Sequence, residues 1–396
     1  MSFFESLTSV PDDPIFGLAA AFAADVRSKK VNLGIGAYRT ADGKPLVLSS
    51  VQKAEALLLD QGLHKQYLPI SGDAEFIDEL LKVVFASSLD RERTYGLQSV
   101  GGTGALRIAA DFIASEEGKI VYLSQPTWPN HKNIFGAAGF QIARYPYYDY
   151  RNNTIDFENI VEAISNMSPK DVIVLQASCH NPTGTDFSFE QWKTLSALIK
   201  ERGIIPLFDM AYQGFGQGLD DDAQALRYFV DQGHEMFVAA SCSKNFGLYG
   251  ERLGLLAFVG DSKDIAQTVG GHLCQIVRAS YSNPPCHPAR IVKTILMTKE
   301  LKNEWENELS NMRERVDEMR KALIAGLQAR GHEKDFSFMK KQQGMFSYCG
   351  LDKDQAQRIR RDHGIYIPSN GRINIAGLTS QNLENVIEAI LAAISE

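Results

Sequence analysis

The sequence predicts an α/β fold: a mostly parallel sheet in a large domain, joined by a long helix to a smaller α+β domain. Two observations predict it. The middle of the chain alternates short apolar runs with longer amphipathic ones, and from about residue 299 this alternation gives way to one long helical stripe. Alternating strands and helices are typical of a parallel sheet covered by helices. With 396 residues, the chain can bury a large core in two or three domains.

The candidate strands are rich in Val, Ile, Leu and Phe and show little polar alternation, which is typical of strands covered on both faces. They are predicted at Ile120–Leu123, Val172–Ala177, Ile204–Asp209, Phe237–Ser241 and Leu253–Val259. The helices between them are predicted at Gly104–Ser115, Phe189–Glu201 and Asp222–Asp231.

The long helix is predicted from apolar residues that recur every three or four positions, so that they form one stripe. The stripe consists of Leu301, Trp305, Leu309, Met312, Val316, Met319, Leu323 and Leu327. Gly331 supplies a stop. Short strands are expected at Gly344–Tyr348 and Arg372–Ala376, followed by a final helix from Gln381. The segment Ile15–Val26 is also helix-like, and we expect it to pack with this smaller domain.

These patterns suggest four segments. They are an N-terminal arm (1–13), a first part of the small domain (14–45), the large domain (46–311) and the rest of the small domain (312–396).

Composition excludes several classes of protein. The net charge of −7 argues against a nucleic-acid binder. The longest apolar run, Phe16–Ala24, is far shorter than the ~20 residues of a membrane-spanning helix, and no basic residue precedes Arg27 as in a signal peptide. The five cysteines form no C-x-x-C pair, and the eight histidines form no zinc motif. We therefore expect a cytoplasmic protein with free thiols, no metal and no membrane or nucleic-acid partner.

Polar residues follow the predicted strands at their carboxyl ends, where open α/β sheets bind ligands. Trp128 follows the first strand, His180 to Gly184 the second, Asp209 and Tyr212 the third, and Lys244 the fourth. An aromatic ring, an amide, a carboxylate, a phenol and an amine would thus share one rim of the sheet.

A glycine-rich segment, 101–104, precedes a predicted helix and could cradle an anion with its backbone N–H groups and the Thr103 hydroxyl. It lacks the Lys of a Walker A loop, and Gly34-Ile35-Gly36 lacks the third glycine of a dinucleotide fingerprint. By itself such a loop is more often a tight turn. A phosphate monoester site could be completed by Ser241, Ser243 and Arg252.

Each residue also has a purely structural interpretation. Asp209 could cap a helix, Lys244 could be solvated, and Trp128 and His131 could belong to the core. The acidic run 220–222 is better explained as a helix start than as a metal site. The combination, however, provides what pyridoxal phosphate needs: a lysine for its aldehyde, a carboxylate for its ring nitrogen and a cradle for its phosphate.

Several segments resemble the class I (fold type I) aminotransferases, and most closely their aspartate/aromatic subgroup. They are Ser241 to Tyr249 with Glu251-Arg252, His180 to Gly184, Ala211 to Phe215, Ser282 to Pro285 and Gly371 to Asn374, in the family's order. The similarity runs from Asp13 to the last helix. It implies a seven-stranded sheet in a large domain that binds pyridoxal 5'-phosphate.

The resemblance implies roles for individual residues. Lys244 would bond to the cofactor's aldehyde and then move the proton, and Asp209, backed by His131, would pair with the ring nitrogen. Asn181 and Tyr212 would bind the ring's phenolic oxygen. The other cofactor contacts implied are Trp128 against the ring, Gly102, Thr103, Ser241, Ser243 and Arg252 at the phosphate, and Tyr67 at the phosphate of the neighbouring subunit.

The same resemblance implies a homodimer with shared active sites. Arg372 would clamp the substrate's α-carboxylate, and Arg278 would cross the interface to the side-chain carboxylate. Ile35 and Gly36 would line the pocket. The substrate-binding set is thus Gly36, Trp128, Asn181, Arg278 and Arg372. Lys244, Asp209 and Tyr212 form the catalytic set.

The activity implied is amino transfer between L-aspartate or glutamate and 2-oxoglutarate or oxaloacetate by a ping-pong mechanism. An aromatic amino acid aminotransferase is the nearest alternative, and a lyase or decarboxylase on the same fold or a non-catalytic binding protein is less favoured. Two positions depart from the subgroup: Gln176 stands where a histidine is common, and Asn370 where a serine is common.

Overall fold

The computed structural model describes residues 4–8, 14–114, 119–331 and 333–395, with the backbone alone for residues 14–16. The strands are β1 (Val31–Asn32), β2 (Thr94–Val100), β3 (Ile120–Gln125), β4 (Gln141–Pro146), β5 (Tyr148–Asp149), β6 (Thr154–Ile155), β7 (Val172–Gln176), β8 (Ile205–Met210), β9 (Met236–Ser241), β10 (Leu253–Val259), β11 (Phe346–Tyr348), β12 (Ile365–Tyr366) and β13 (Arg372–Asn374).

Helices cover both faces of the main sheet and build much of the C-terminal part. They are α1 (Pro14–Ala24), α2 (Ser49–Asp60), α3 (Ala74–Phe85), α4 (Gly101–Ile113), α5 (Pro129–Ala137), α6 (Phe157–Ser165), α7 (Phe189–Arg202), α8 (Gln224–Asp231), α9 (Lys263–Ser280), α10 (Cys286–Met297), α11 (Lys299–Gln328), α12 (Lys353–His363) and α13 (Leu383–Ser395). Short 3₁₀ helices lie at Ala86–Ser88, Asp221–Ala223, Ser337–Lys341 and Ile375–Gly377.

Among the described residues, seven strands form the main sheet, in the order β2-β10-β9-β8-β7-β3-β4. Strand β10 is antiparallel to both of its neighbours, and the other pairs are parallel. The predicted α/β class and mostly parallel sheet are therefore confirmed. Each of the five predicted strands is present, and its ends differ from the prediction by at most two residues.

The core lies on both faces of this sheet because side chains alternate along each strand. In β7, Val172 and Val174 pack into one apolar cluster, while Ile173 and Leu175 pack into the other. Every residue of β7, β9 and β10 is buried. This double coverage explains why the strands are recognisable as nearly continuous apolar runs.

The sequence did not predict the two edge strands, β2 and β4. Strand β2 buries the polar residues Thr94, Gln98 and Ser99, and β4 buries only Tyr145. An edge strand has a neighbour on one side only, so its sequence carries less of the apolar signal.

Helix α11 confirms the predicted apolar stripe. Every residue of the stripe is buried except Met319, which is partly buried against the same core. The helix ends at Gln328, three residues before the predicted stop at Gly331. Two small strand pairs complete the C-terminal part: β11 with β13 and, in parallel, β1 with β12. The ring of Phe22 in α1 lies edge-on to Tyr366 of β12, as expected if α1 packs there.

The predicted domain limits stay predictions. The limit at residue 312 falls within α11, which runs unbroken through it. The predicted arm (1–13) lies largely outside the described residues. No helix in the described ranges is both long enough and apolar enough to span a membrane.

Glu308 of α11 caps the start of α2, where Leu48 provides no side-chain cap. Its carboxylate accepts hydrogen bonds from the backbone N–H of Ser49 (2.5 Å) and Ser50 (3.2 Å) and from the Ser50 hydroxyl (2.6 Å). The long helix α11 is thereby joined to the start of α2.

We predict that Glu308→Ala lowers the free energy of unfolding by about 1–3 kcal/mol, since it leaves partly buried donors unpaired. Urea denaturation measures the loss. The matched control is Glu304→Ala, one turn earlier, which removes the half-exposed ion pair with Lys53 and a side-chain hydrogen bond with Ser49 but leaves the backbone donors capped, and it should cost less than about 1 kcal/mol. Equal losses in the two variants would contradict the capping role.

Candidate active site

A cavity of about 560 Å³ opens at the carboxyl ends of the parallel strands. The structure brings most of the sequence-predicted site residues into its wall. They are Ile35, Gly36, Gly102, Thr103, Trp128, Asn181, Asp209, Tyr212, Ser241, Ser243, Lys244, Arg252 and Arg372. The register explains this convergence, because the paired strands β7, β8 and β9 end side by side.

Lys244 lies three residues beyond β9 and is half-buried. Burial lowers the pKa of its amine from 10.5 to about 8; the nearby Asp209 opposes this shift, and Arg252 and Arg372 add to it. The Nζ atom lies 4.9 Å from the centre of the Tyr212 ring. At neutral pH a larger fraction of this amine is therefore unprotonated than in an ordinary lysine, which suits nucleophilic and proton-transfer chemistry.

The loop that carries Lys244 is held from behind by α11. The indole N–H of Trp305 donates to the carbonyl of Asn245 at 2.7 Å, and the Trp305 ring stacks on Phe246 with centroids 4.4 Å apart. Trp305 and Phe246 are fully buried. The lysine thus projects from a packed backbone, which limits its range of positions.

Asp209, near the end of β8, is buried beside His131 of α5, with Oδ2 and Nε2 3.0 Å apart. The other ring nitrogen of His131 lies 2.8 Å from the Thr127 hydroxyl, so both nitrogens have partners. His131 is fully buried, and the Trp128 ring lies edge-on to it at 5.3 Å. The structure therefore joins Asp209 and His131 as the sequence interpretation expected.

The start of α4 and the turn after β9 form a polar recess. The Ser243 backbone N–H donates to Ser241 Oγ at 3.2 Å, and Arg252 Nη1 donates to Ser243 Oγ at 3.3 Å. A side chain at Gly102 would bring a Cβ within 3.1 Å of Ser241 Cβ. Glycine therefore keeps the recess open next to the backbone N–H groups of the helix start, an arrangement suited to an anion.

Arg372 of β13 is buried on the opposite wall and points a cation into the cavity. Its Nη1 donates to Asn181 Oδ1 at 3.0 Å, its Nη2 donates to the Gly34 carbonyl, and its buried Nε has no protein partner. Burial lowers the pKa of the guanidinium to about 10, so it stays charged at neutral pH. A buried cation with an unused donor favours a carboxylate ligand.

Phe346 supports Arg372 and narrows the cavity, although the sequence interpretation gave it no role. The guanidinium lies 4.1 Å from the centre of its ring, and the Tyr212 ring meets it edge-on at 5.7 Å. A Cβ on Gly36 would come within 2.8 Å of the Phe346 ring. Nothing in the sequence distinguishes this phenylalanine from others in predicted strands.

Tyr212 is buried, and burial raises the pKa of its phenol above the ordinary value. It therefore stays protonated and can donate a hydrogen bond. Other residues in the wall that the predicted site did not contain are Leu106, Pro129, Asn130, Gln176, Ala211 and Tyr249. Of these, Gln176 was noticed only as a departure from the family pattern.

Tyr67 and Arg278 are the predicted site residues that the structure leaves out of the cavity. Tyr67 is 89% exposed, and Arg278 at the end of α9 is exposed as well. They share one surface region: Asn283 Nδ2 donates to the carbonyl of Leu68, and Arg278 donates to the hydroxyl of Ser282. Both side chains are therefore available to a second molecule.

The described residues contain no cluster of three or more His, Cys, Asp or Glu side chains that could hold a metal ion. The five cysteines are free thiols.

Comparison with known proteins adds to this geometry. The family described as aminotransferase class I and II matches residues 28–390. Aspartate aminotransferase from Escherichia coli is 45% identical over 99% of this chain and 100% of its own. Tyrosine aminotransferase from Rhizobium meliloti is 43% identical over 95% and 96%. The crystal structure of aromatic-amino-acid aminotransferase from Burkholderia pseudomallei, covalently bound to pyridoxal phosphate, superposes with a TM-score of 0.97 at 43% identity, covering 99% and 100%.

The lowered pKa of Lys244 predicts a specific pH dependence in the protein freed of any cofactor. Between pH 8 and pH 10.5 the unfolded chain would bind more protons at this lysine than the folded chain, so its contribution to stability rises with pH. We expect the unfolding free energy of the wild type minus that of Lys244→Met to increase across this window, by at most about 1.4 kcal/mol per pH unit. Denaturation at several pH values measures it, and a constant difference would show an ordinary lysine.

Proposed function

This chain belongs to the class I and II aminotransferases, and we propose that it moves the amino group between L-aspartate or glutamate and the 2-oxo acids 2-oxoglutarate and oxaloacetate. The two half-reactions alternate in one site, in a ping-pong mechanism. One observation carries the proposal: Asp209 near the end of β8 and Lys244 just beyond the neighbouring strand β9 face the same cavity as Arg372. A simple binding protein would have no use for an amine of lowered pKa beside a buried carboxylate.

The residues present fit pyridoxal 5'-phosphate. The recess of Gly102, Ser241, Ser243 and Arg252 offers hydroxyls, a guanidinium and helix N–H groups, which are the donors a phosphate monoester requires. Thr103 would add its hydroxyl. The buried Asp209 matches a protonated ring nitrogen, Trp128 offers a ring face, and Asn181 and Tyr212 offer donors for the phenolic oxygen. Bound in this way, the cofactor supplies an electron sink for negative charge at the substrate's α carbon.

Different side chains of this chain then have different roles in the reaction. Lys244 Nζ removes the proton from the substrate's α carbon and returns it, because its lowered pKa leaves it partly unprotonated near neutral pH. Arg372 binds the α-carboxylate through its positive charge, and its buried Nε has no protein partner. Asp209 keeps the proton on the ring nitrogen, and His131 holds Asp209 in place. Gly36 leaves room for the ring of Phe346, which packs against the guanidinium of Arg372.

We further propose a homodimer in which each subunit supplies Tyr67 and Arg278 to its partner's site. The exposure of both side chains on one surface region supports this, as does their absence from the cavity of their own subunit. Arg278 would bind the side-chain carboxylate of aspartate or glutamate, and Tyr67 would bind the phosphate. Free thiols and the absence of a disulfide among the five cysteines favour a cytoplasmic location.

Aromatic amino acids are the second candidate substrates. The relative from Rhizobium meliloti and the structure from Burkholderia pseudomallei, both 43% identical to this chain, are named for tyrosine and for aromatic amino acids. An exposed arginine such as Arg278 can swing away from the pocket, which would admit a ring in place of a carboxylate.

We expect the purified protein to convert aspartate and 2-oxoglutarate into equal amounts of oxaloacetate and glutamate. Ratios of kcat/KM for Asp, Glu, Phe and Tyr decide between the two substrate classes. Lys244→Ala should lose at least ~10²-fold in turnover, since it removes the proton-transfer group. The control Lys263→Ala breaks only an exposed ion pair with Glu92 and should keep full activity. Release of ammonia or carbon dioxide instead of a 2-oxo acid would refute the proposed reaction.

Mixed dimers test the shared site. Lys244→Ala is expected to be inactive, and Arg278→Ala to use aspartate poorly. After subunit exchange between equal amounts of the two, half of the dimers are hybrids, and each hybrid has one intact site. Activity towards aspartate should therefore recover to roughly a quarter of the wild-type value, by the pairing arithmetic of a two-fold dimer. Hybrids with no more activity than the parent variants would show that Arg278 serves its own subunit.

A further inference from the structure

Gln176 lies in the cavity wall and contacts both Asn181 and Thr127. It is the last residue of β7, it is buried, and it pairs in register with Asp209 of β8. An uncharged amide at this place can donate and accept hydrogen bonds without changing the charge beside Asp209 and Lys244.

The amide of Gln176 satisfies both backbone groups of Asn181. The N–H of Asn181 donates to Gln176 Oε1 at 2.8 Å, and Gln176 Nε2 donates to the carbonyl of Asn181 at 3.0 Å. The residue after Asn181 is Pro182, which has no N–H to contribute. In this buried loop the side chain of Gln176 thus replaces the backbone partner that a neighbouring strand would otherwise provide.

The second contact of Gln176 is weaker. Its Nε2 lies 3.5 Å from the hydroxyl of Thr127, which in turn contacts His131. Gln176 is therefore connected to the site by two chains of hydrogen bonds, which we call routes. The short route runs through Asn181 to Arg372, and the long route runs through Thr127 and His131 to Asp209. The short route consists of hydrogen bonds between 2.8 and 3.0 Å throughout.

We propose that Gln176 is a positioning residue for the substrate's α-carboxylate: it fixes the backbone of Asn181, whose side chain orients the guanidinium of Arg372. This inference rests on the proposed function, because it takes the ligand of Arg372 to be the carboxylate of an amino or 2-oxo acid. The guanidinium of Arg372 is held by the Gly34 carbonyl, the Phe346 ring and the Asn181 side chain, and its Nε has no protein partner. Of these three contacts, only the Asn181 side chain depends on Gln176, so loosening Asn181 shifts the guanidinium relative to its ligand.

The test is a double-mutant cycle read out as ligand affinity. The dissociation constant of succinate, an unreactive dicarboxylate, is measured by calorimetry on the protein loaded with pyridoxal phosphate. Gln176→Met keeps the approximate volume and removes both hydrogen bonds, and it should weaken binding about tenfold. In an Asn181→Ala background the same change should have no further effect, because the route to Arg372 is already cut.

A matched cycle with Thr127→Val separates the two routes. If Gln176 acts through Asn181, its tenfold effect persists in the Thr127→Val background. If the effect vanishes there, or persists in the Asn181→Ala background, Gln176 acts elsewhere and the proposal is wrong. Equal succinate affinity of Gln176→Met and wild type would overturn it as well.

A second variant guards against misfolding. Gln176→Glu keeps the acceptor for the Asn181 N–H, but its carboxylate cannot donate to the Asn181 carbonyl, so it should also weaken succinate binding. Melting temperatures confirm that both variants are folded. A wild type that neither binds succinate nor transfers amino groups would instead refute the proposed function, which distinguishes the two failures.

Discussion

The excess of positive charge in the cavity is the constraint on which the site depends. Lys244, Arg252 and Arg372 face it against a single carboxylate, Asp209, whereas the chain as a whole carries a net charge of −7. Taking cations out of water is costly unless anions or aligned acceptors compensate for it. The glycine-rich helix start, the buried amides and the lowered pKa of Lys244 suit the phosphate and the carboxylates that we propose as ligands.

Much of the fold could be predicted because strands buried on both faces have a recognisable sequence pattern. Strands β7, β9 and β10 are covered on both faces and appear as apolar runs, and α11 appears as a stripe. Strands β2 and β4 lie at the edges of the sheet, and their sequences are not continuous apolar runs. The place of β2 depends on its pairing with β10, far away in the sequence, which local patterns do not contain.

The site could be predicted where a residue follows a strand or belongs to a family motif. Trp128, Asp209 and Lys244 meet because parallel strands end together. The contributions of Phe346 and Gln176 could not be predicted, because they depend on which side chains meet when the C-terminal part folds over the sheet and on how one loop satisfies its backbone. Tyr67 and Arg278 are exposed and lie outside the cavity of their own chain, so their roles stay predictions.

Helix α11 has a mechanical consequence. Trp305 holds the lysine loop near one end of the helix, and Arg320, about four turns further on, donates to the carbonyl of Gly344 just before β11. These two residues lie about 22 Å apart along the helix, so that tilting the helix by one degree about Trp305 shifts Arg320 by roughly 0.4 Å. Helix α11 therefore contacts both the loop of Lys244 and the segment before β11, which pairs with the strand of Arg372. The stiffness of this helix limits how far the Lys244 amine and the Arg372 guanidinium can shift relative to each other.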